Sequence, residues 1–231
     1  MSDADAAKIN AARGALEFVQ PGMIVGLGTG STAAHFVRLL AGQGAKNTCV
    51  ATSVATHELA QQLGLNIVSP DDVSSIDVTV DGADEIDPQF RLIKGGGAAL
   101  LREKIIAASS KTMVVITDAS KQVDTLGKFP LPVEITQFGR GLTARKVEAA
   151  LAAGKTRGRV VSLREKGGKP VITDGGNFIL DCRCEAIGAP EALADALSKI
   201  PGVVEHGLFI GIASAAVIGS ENGAQTLRRT V

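Results

Sequence analysis

The sequence predicts an α/β protein, in which a doubly wound parallel sheet carries a smaller α+β lobe. Three observations lead there. Short β-branched apolar runs alternate with stretches of helical period through the first half of the chain. The pattern changes after Phe129, where Pro130-Leu131-Pro132 punctuates the chain. The residues with unusual chemistry fall just after the apolar runs, and ligands collect beyond the carboxyl ends of the strands in such sheets.

The elements follow in order. Residues 23–27 read as a buried strand, followed by glycines and an apolar helix over 32–40. A second apolar run at 49–52 precedes a helix around 57–63. Further β-branched runs lie at 66–68, 76–80 and 113–117, and a helix over 98–109 precedes the last of them. Beyond Pro130 the order is strand (133–135), helix (140–153), a hairpin (159–163 with 171–173), strand (177–183), helix (190–199) and strand (203–206). That is the split βαβ order. The sequence therefore predicts a Rossmann-like catalytic domain from residues 1–129 plus 207–231, and a ferredoxin-like α+β lobe over 130–206. Gly207 to Gly211 and Ala215 to Gly219 are expected to return to the first sheet.

Composition narrows the function. The 231 residues are 45% hydrophobic, and 24 basic residues balance 24 acidic ones. No basic stripe points to nucleic acid, no polybasic run points to a membrane surface, and no apolar run is long enough to span a bilayer. The acidic start, Met-Ser-Asp-Ala-Asp, lacks the features of a signal peptide, so a cytoplasmic location is expected. Cys182 and Cys184 flank Arg183 without further ligands at zinc spacing, and read as reduced thiols in a sheet. His35, His57 and His206 are scattered. Twenty-seven glycines with no Trp or Tyr suit close backbone approach to a ligand better than stacking on bases.

Four stretches could carry chemistry. Gly26-Leu-Gly-Thr-Gly-Ser-Thr32 joins a strand to a helix. Its backbone N–H groups at Thr29 and Gly30, with the Ser31 and Thr32 hydroxyls, make an anion cradle. It lacks the Gly-Lys-Ser/Thr of a Walker loop and the third glycine and distant acid of a dinucleotide fingerprint; a plain tight turn is the alternative. Asp81-Gly82-Ala83-Asp84-Glu85-Ile86-Asp87 packs four carboxylates into seven residues. A solvated turn and a Mg²⁺ site are the competing readings, but Asp81 closes the run Ile76-Asp-Val-Thr-Val80 and is placed by a rigid strand. Lys94-Gly95-Gly96-Gly97 sets a cation and free backbone before a helix, where negative charge on a substrate oxygen would be stabilised. Glu103 falls on the small, apolar arc of that helix with Ala99, Leu100, Ile106 and Ala107. Arg102 and Lys104 lie to either side. Burial makes a carboxylate a better base near neutral pH.

These stretches, with Arg102-Glu-Lys104, Asp118-Ala-Ser-Lys-Gln-Val123 and Gly127-Lys-Phe-Pro-Leu-Pro-Val-Glu134, resemble the type A ribose-5-phosphate isomerases along nearly the whole chain. The resemblance implies interconversion of D-ribose 5-phosphate and D-ribulose 5-phosphate in the non-oxidative pentose phosphate pathway, without metal or cofactor, by a homodimer. By position, Glu103 would move the proton between C1 and C2 through an enediolate. Lys94 and its glycines would stabilise the charged oxygen. Asp81 and Asp84 would hold sugar hydroxyls and assist ring opening. Ser31, Thr32, Lys121 and Lys8 would contact the phosphate. Two places depart from the family pattern: Val54, within Thr52-Ser-Val-Ala-Thr56, stands where a more polar residue is common. Ile212-Ala-Ser-Ala-Ala216 lacks an expected acid. The competing functions are an aminosugar-phosphate isomerase/deaminase or CoA transferase on a related scaffold, and a non-enzymatic sugar-phosphate sensor.

Overall fold

A computed structural model of the chain describes residues 2–44 and 46–229. In chain order the helices are α1 (Asp3–Gly14), α2 (Ser31–Gly42), α3 (Val54–Gln62), α4 (Leu100–Ala108), α5 (Arg140–Ala150) and α6 (Pro190–Ser198). The strands begin with β1 (Ile24–Leu27), β2 (Thr48–Ala51), β3 (Asn66–Ile67), β4 (Ile76–Gly82), β5 (Glu85–Ile86), β6 (Leu92–Ile93), β7 (Ser110–Asp118) and β8 (Leu131–Ile135). They continue with β9 (Val160–Leu163), β10 (Glu165–Lys166), β11 (Lys169–Pro170), β12 (Phe178–Arg183), β13 (Val203–His206), β14 (Leu208–Phe209), β15 (Ala215–Ser220) and β16 (Gly223–Arg228).

The described residues group into two compact units. The first comprises Met1–Ala83, Arg102–Gln122 and Gly211–Val231; the second comprises Asp84–Leu101 and Val123–Ile210. The first holds a seven-stranded sheet in the order β16-β15-β7-β4-β1-β2-β3. Every pairing is parallel except β15 with β16. Read from β3 to β15, this is the doubly wound order in which the chain leaves β1 in one direction and resumes at β4 in the other, opening a crevice at the carboxyl ends of those two strands. Both faces of the sheet are buried: Val25, Leu27, Val78, Val80, Val114 and Ile116 on one, and Val50, Met113 and Val115 on the other. Helix α2 buries Phe36, Val37 and Leu40 against this core, each contributing about 2 kcal/mol by its transfer from water. Helix α1 presents Ala7, Ala11 and Ala12, small side chains that let it lie close to β15.

In the second unit β13, β8, β12 and β9 form an antiparallel sheet in that order. With α5 and α6 as its crossovers, this is the ferredoxin-like arrangement. Its core joins Val133, Ile135, Val147, Leu180, Leu193 and Leu197. Cys182 and Cys184 are free and buried. Burial pushes the Cys184 thiol up to about 12, so it stays protonated.

Several boundaries differ from the sequence reading. The second unit also takes in residues 84–101, 123–129 and 207–210, which the sequence reading assigned to the first. The reason is a three-stranded antiparallel sheet, β14-β6-β5, built from two-residue strands too short to show a period. Leu208 and Phe209 pair with Ile93 and Leu92 rather than returning to the parallel sheet; only β15 and β16 do that. The 159–163 strand pairs with β12 rather than with 171–173; β10 and β11 form a hairpin of their own, and Ile172 makes one isolated bridge to Phe178. Helix α3 starts at Val54, earlier than expected, because Ser53 caps it by accepting from the Thr56 N–H.

Candidate functional site

In the first unit the candidate residues gather at the crevice between β1 and β4. Strand β1 ends at Leu27, and Gly28 continues its pairing by donating to the Val80 carbonyl at 2.9 Å. The backbone then turns through Thr29 and Gly30 into α2, whose N-cap glycine supplies no side-chain cap; a helix start leaves amide donors without intrahelical partners. Ser31 is exposed and Thr32 half-buried. Asp81 lies inside β4, one residue before its end, and is fully buried. Its Oδ1 accepts from the Thr29 N–H at 3.1 Å and the Gly82 N–H at 2.7 Å. The carboxylate thus ties the glycine turn to the neighbouring strand. Gly28 must lack a side chain, because a Cβ there would collide with the Asp81 carboxyl group and backbone. Glu103 is 4% exposed on α4, in company with Ala99, Leu100, Ile106 and Ala107, all buried, while Arg102 is exposed. Lys121 is half-buried at the end of a short 3₁₀ turn after β7, and Lys8 is half-buried on α1.

A hydroxyl cluster beneath the turn was not anticipated. Thr29 Oγ1 lies 2.8 Å from Thr52 Oγ1 and 2.8 Å from Ser53 Oγ. Thr52 donates to the Leu27 carbonyl and Thr56 to the Gly28 carbonyl, each at 3.0 Å. The Thr29 hydroxyl is therefore engaged with its own scaffold, and its N–H with Asp81. The only sequence signal was the clustering of Thr52, Ser53 and Thr56 after β2.

In the second unit the candidate residues are Asp84 and Lys94 to Gly97. Asp84 donates its N–H to the Ile93 carbonyl at 2.9 Å, and its Oδ2 accepts from the Gly96 N–H at 2.8 Å. Lys94 is 2% exposed. Its backbone N–H is bonded to the Gly207 carbonyl, and its ammonium lies 5.4 Å from the centre of the Phe209 ring. Lysines are almost never buried to this degree unless they are paired. Gly95 has φ 111°, a region open to glycine and strained for other residues. The other two acids of the run serve the fold. Glu85 accepts from the backbone N–H groups of Gly127 and Phe129, and burial raises its pKa. Asp87 accepts from the N–H groups of Gln89 and Arg91 and pairs with the Arg91 guanidinium at 2.6 Å.

Among the described residues no group of three or more His, Cys, Asp and Glu side chains is disposed to hold a metal ion, and no helix is long and apolar enough to cross a membrane. The first unit offers a buried carboxylate on a helix, a buried aspartate near a strand end and a helix start with no side-chain cap; the second offers a buried lysine and an aspartate bound to a glycine amide. These suit proton transfer on a small anionic polyol.

Comparison with known proteins points the same way. Residues 48–223 match the family model for ribose 5-phosphate isomerase A (phosphoriboisomerase A). Ribose-5-phosphate isomerase A of Methylorubrum extorquens is 53% identical over 92% of each chain. That of Brucella suis biovar 1 is 50% identical over the full length of both. A solved D-ribose-5-phosphate isomerase in complex with phospho-erythronic acid is 39% identical, with a TM-score of 0.88 over 99% of this chain and all of the other. The chain belongs to the ribose 5-phosphate isomerase A family.

Proposed function

We propose that this chain interconverts D-ribose 5-phosphate and D-ribulose 5-phosphate through an enediolate, in the non-oxidative branch of the pentose phosphate pathway. The observation that carries the reading is Glu103: a nearly fully buried carboxylate on the apolar arc of its helix, in a chain of this family. A carboxylate placed there can serve as a general base. It would take the proton from C2 of the open-chain aldose and return it to C1. The electron pair released from C2–H becomes the enediolate double bond, and negative charge develops on the carbonyl oxygen. Lys94 and the loop of Gly95 to Gly97 would meet that charge. Asp81, with Gly82 and Ala83 beside it, and Asp84 would hold the sugar hydroxyls and carry protons between oxygens. Gly30, Ser31 and Thr32, with Lys121 and Lys8, would anchor the phosphate, and Thr29, whose N–H and hydroxyl are both engaged, would hold the turn that carries them. No metal or cofactor is required by these steps.

Removing the base tests the reading. Glu103→Gln keeps the size of the side chain and removes its basicity, so kcat should fall by about a thousandfold, within the usual range for a general base. Ribose 5-phosphate should still bind. Exchange of the C2 proton with deuterated water should vanish in the same variant. Isomerisation at a near-normal rate would remove Glu103 from this role. The family resemblance also supports a homodimer and a cytoplasmic location. Sedimentation at micromolar concentration tests the first, with a monomer counting against it.

A further inference from the structure

The geometry points to Arg164, held by Asp181, as a positioning residue that sets the peptide planes of the Lys94-Gly-Gly-Gly loop for oxyanion stabilisation; the inference rests on the reading above. Arg164 follows β9, and its backbone is locked on both sides. Its N–H donates to the Ile179 carbonyl at 2.8 Å, and its carbonyl accepts from Val171 at 2.9 Å. Its guanidinium divides between two tasks. Nε and Nη2 grip the Asp181 carboxylate at 2.9 and 2.5 Å. Nη1 reaches across to the Gly95 carbonyl at 2.7 Å and the Gly96 carbonyl at 3.3 Å. The planar fork of arginine permits this division; a lysine could not grip the carboxylate in two places while reaching the loop.

The consequence follows from the trans peptide bond. In a trans peptide the C=O and N–H point in opposite directions, and the described chain contains no cis peptide. Fixing the Gly95 carbonyl toward Arg164 sends the Gly96 N–H the other way, where it meets Asp84 Oδ2 at 2.8 Å. Fixing the Gly96 carbonyl likewise sends the Gly97 N–H away from Arg164, toward the side on which Asp84 lies. The Gly96 amide is thereby spent on the Asp84 carboxylate, and the Gly97 amide beside it is the one presented to the developing oxyanion. The loop would not hold this shape alone. It is a turn closed by the Ala98 N–H on the Gly95 carbonyl at 3.1 Å, with Gly95 at φ 111° and Ala98 at φ 61°. Such strained backbone persists only where its surroundings over-determine it. Arg164 and Asp84 grip the two ends of one peptide unit, so a flip of that unit would break both hydrogen bonds.

The test compares Arg164→Gln, Arg164→Lys and Asp181→Asn in the full chain. It measures kcat and KM for ribose 5-phosphate, and Kd for two inert ligands. Phospho-erythronic acid carries a carboxylate where the oxyanion forms; ribitol 5-phosphate carries a neutral alcohol there. In Arg164→Gln, kcat should fall about 100-fold, the scale of an ångström's misplacement in a catalytic group, with KM within about twofold. Affinity for phospho-erythronic acid should fall in parallel and that for ribitol 5-phosphate should hold. Arg164→Lys and Asp181→Asn should show the same split at about tenfold, and they carry the test if Arg164→Gln does not fold. A lowered melting temperature with unchanged kcat per folded molecule overturns the proposal. Equal weakening of both ligands does so too. Failure of the underlying reading would look different: the unaltered chain would not isomerise ribose 5-phosphate at all.

Discussion

Gly28→Ala is the smallest change that strikes the candidate site through its scaffold. Gly28 is the first residue beyond β1, still bonded to Val80 of β4. An added Cβ would meet the Asp81 Oδ1 and Cγ atoms and would stand 2.5 Å from the Asp81 Cα. A side-chain rotation could relieve the first two clashes, but not the third, which is with backbone. Restoring an ordinary 3.4 Å contact requires the two strands to part by about 0.9 Å, at the position where Asp81 binds the Thr29 and Gly82 amides. Overpacking of this kind costs about 1–3 kcal/mol of stability. A displacement near 1 Å at a catalytic group costs about 100-fold in rate. The expected result is a kcat lowered by about two orders of magnitude in a protein that still unfolds cooperatively in urea. Gly42→Ala is the control: nothing lies within 4 Å of its added Cβ, so rate and stability should hold. If Gly28→Ala retains kcat within about twofold of the unaltered chain, the claim that this glycine fixes Asp81 is wrong.

Three further outcomes are expected. Lys121→Ala should raise KM for ribose 5-phosphate by about tenfold with little change in kcat, the pattern of lost uniform binding; an unchanged KM removes Lys121 from the phosphate site. Prolonged treatment with EDTA should leave activity intact, and a loss restored by Mg²⁺ would return the metal reading of Asp81 and Asp84. Glu85 has a pKa raised above its ordinary 4.5 by burial. The folded state therefore holds the Glu85 proton to higher pH than the unfolded chain does. The group's contribution to stability is fully present below 4.5 and declines as pH rises through the raised value. Urea titrations from pH 4 to pH 8 should show that decline in the unaltered chain and less of it in Glu85→Gln; parallel curves would refute the assignment.

The strands of the parallel sheet were legible because they are buried on both faces and read as unbroken apolar runs, such as Val114-Val115-Ile116. Glu103 was legible because helical period alone puts it among Ala99, Leu100, Ile106 and Ala107, and the structure buries all five. What escaped was polar and distant. The Thr29 hydroxyl finds partners 23 to 27 residues away, and Arg164 finds backbone carbonyls 68 and 69 residues away. A hydrogen bond to a backbone carbonyl leaves no trace in residue type, and hydroxyls so far apart in the chain carry no periodicity that pairs them, so no spacing rule could have found either set. The same cause explains the acidic run. Four carboxylates in seven residues look alike in sequence, yet they sort by what each accepts from. Glu85 takes the amides of Gly127 and Phe129, and Asp87 takes the Arg91 guanidinium with two amides; both hold the chain in place. Asp81 and Asp84 each bind a glycine amide, at Gly82 and Gly96, within the stretches that sequence had marked for the substrate. A glycine partner alone does not separate the pairs, since Glu85 also takes one at Gly127. What separates the proposed substrate-binding pair from the structural one is where the partner lies: the amides that hold Asp81 and Asp84 belong to the stretches marked for the substrate, and those that hold Glu85 and Asp87 do not.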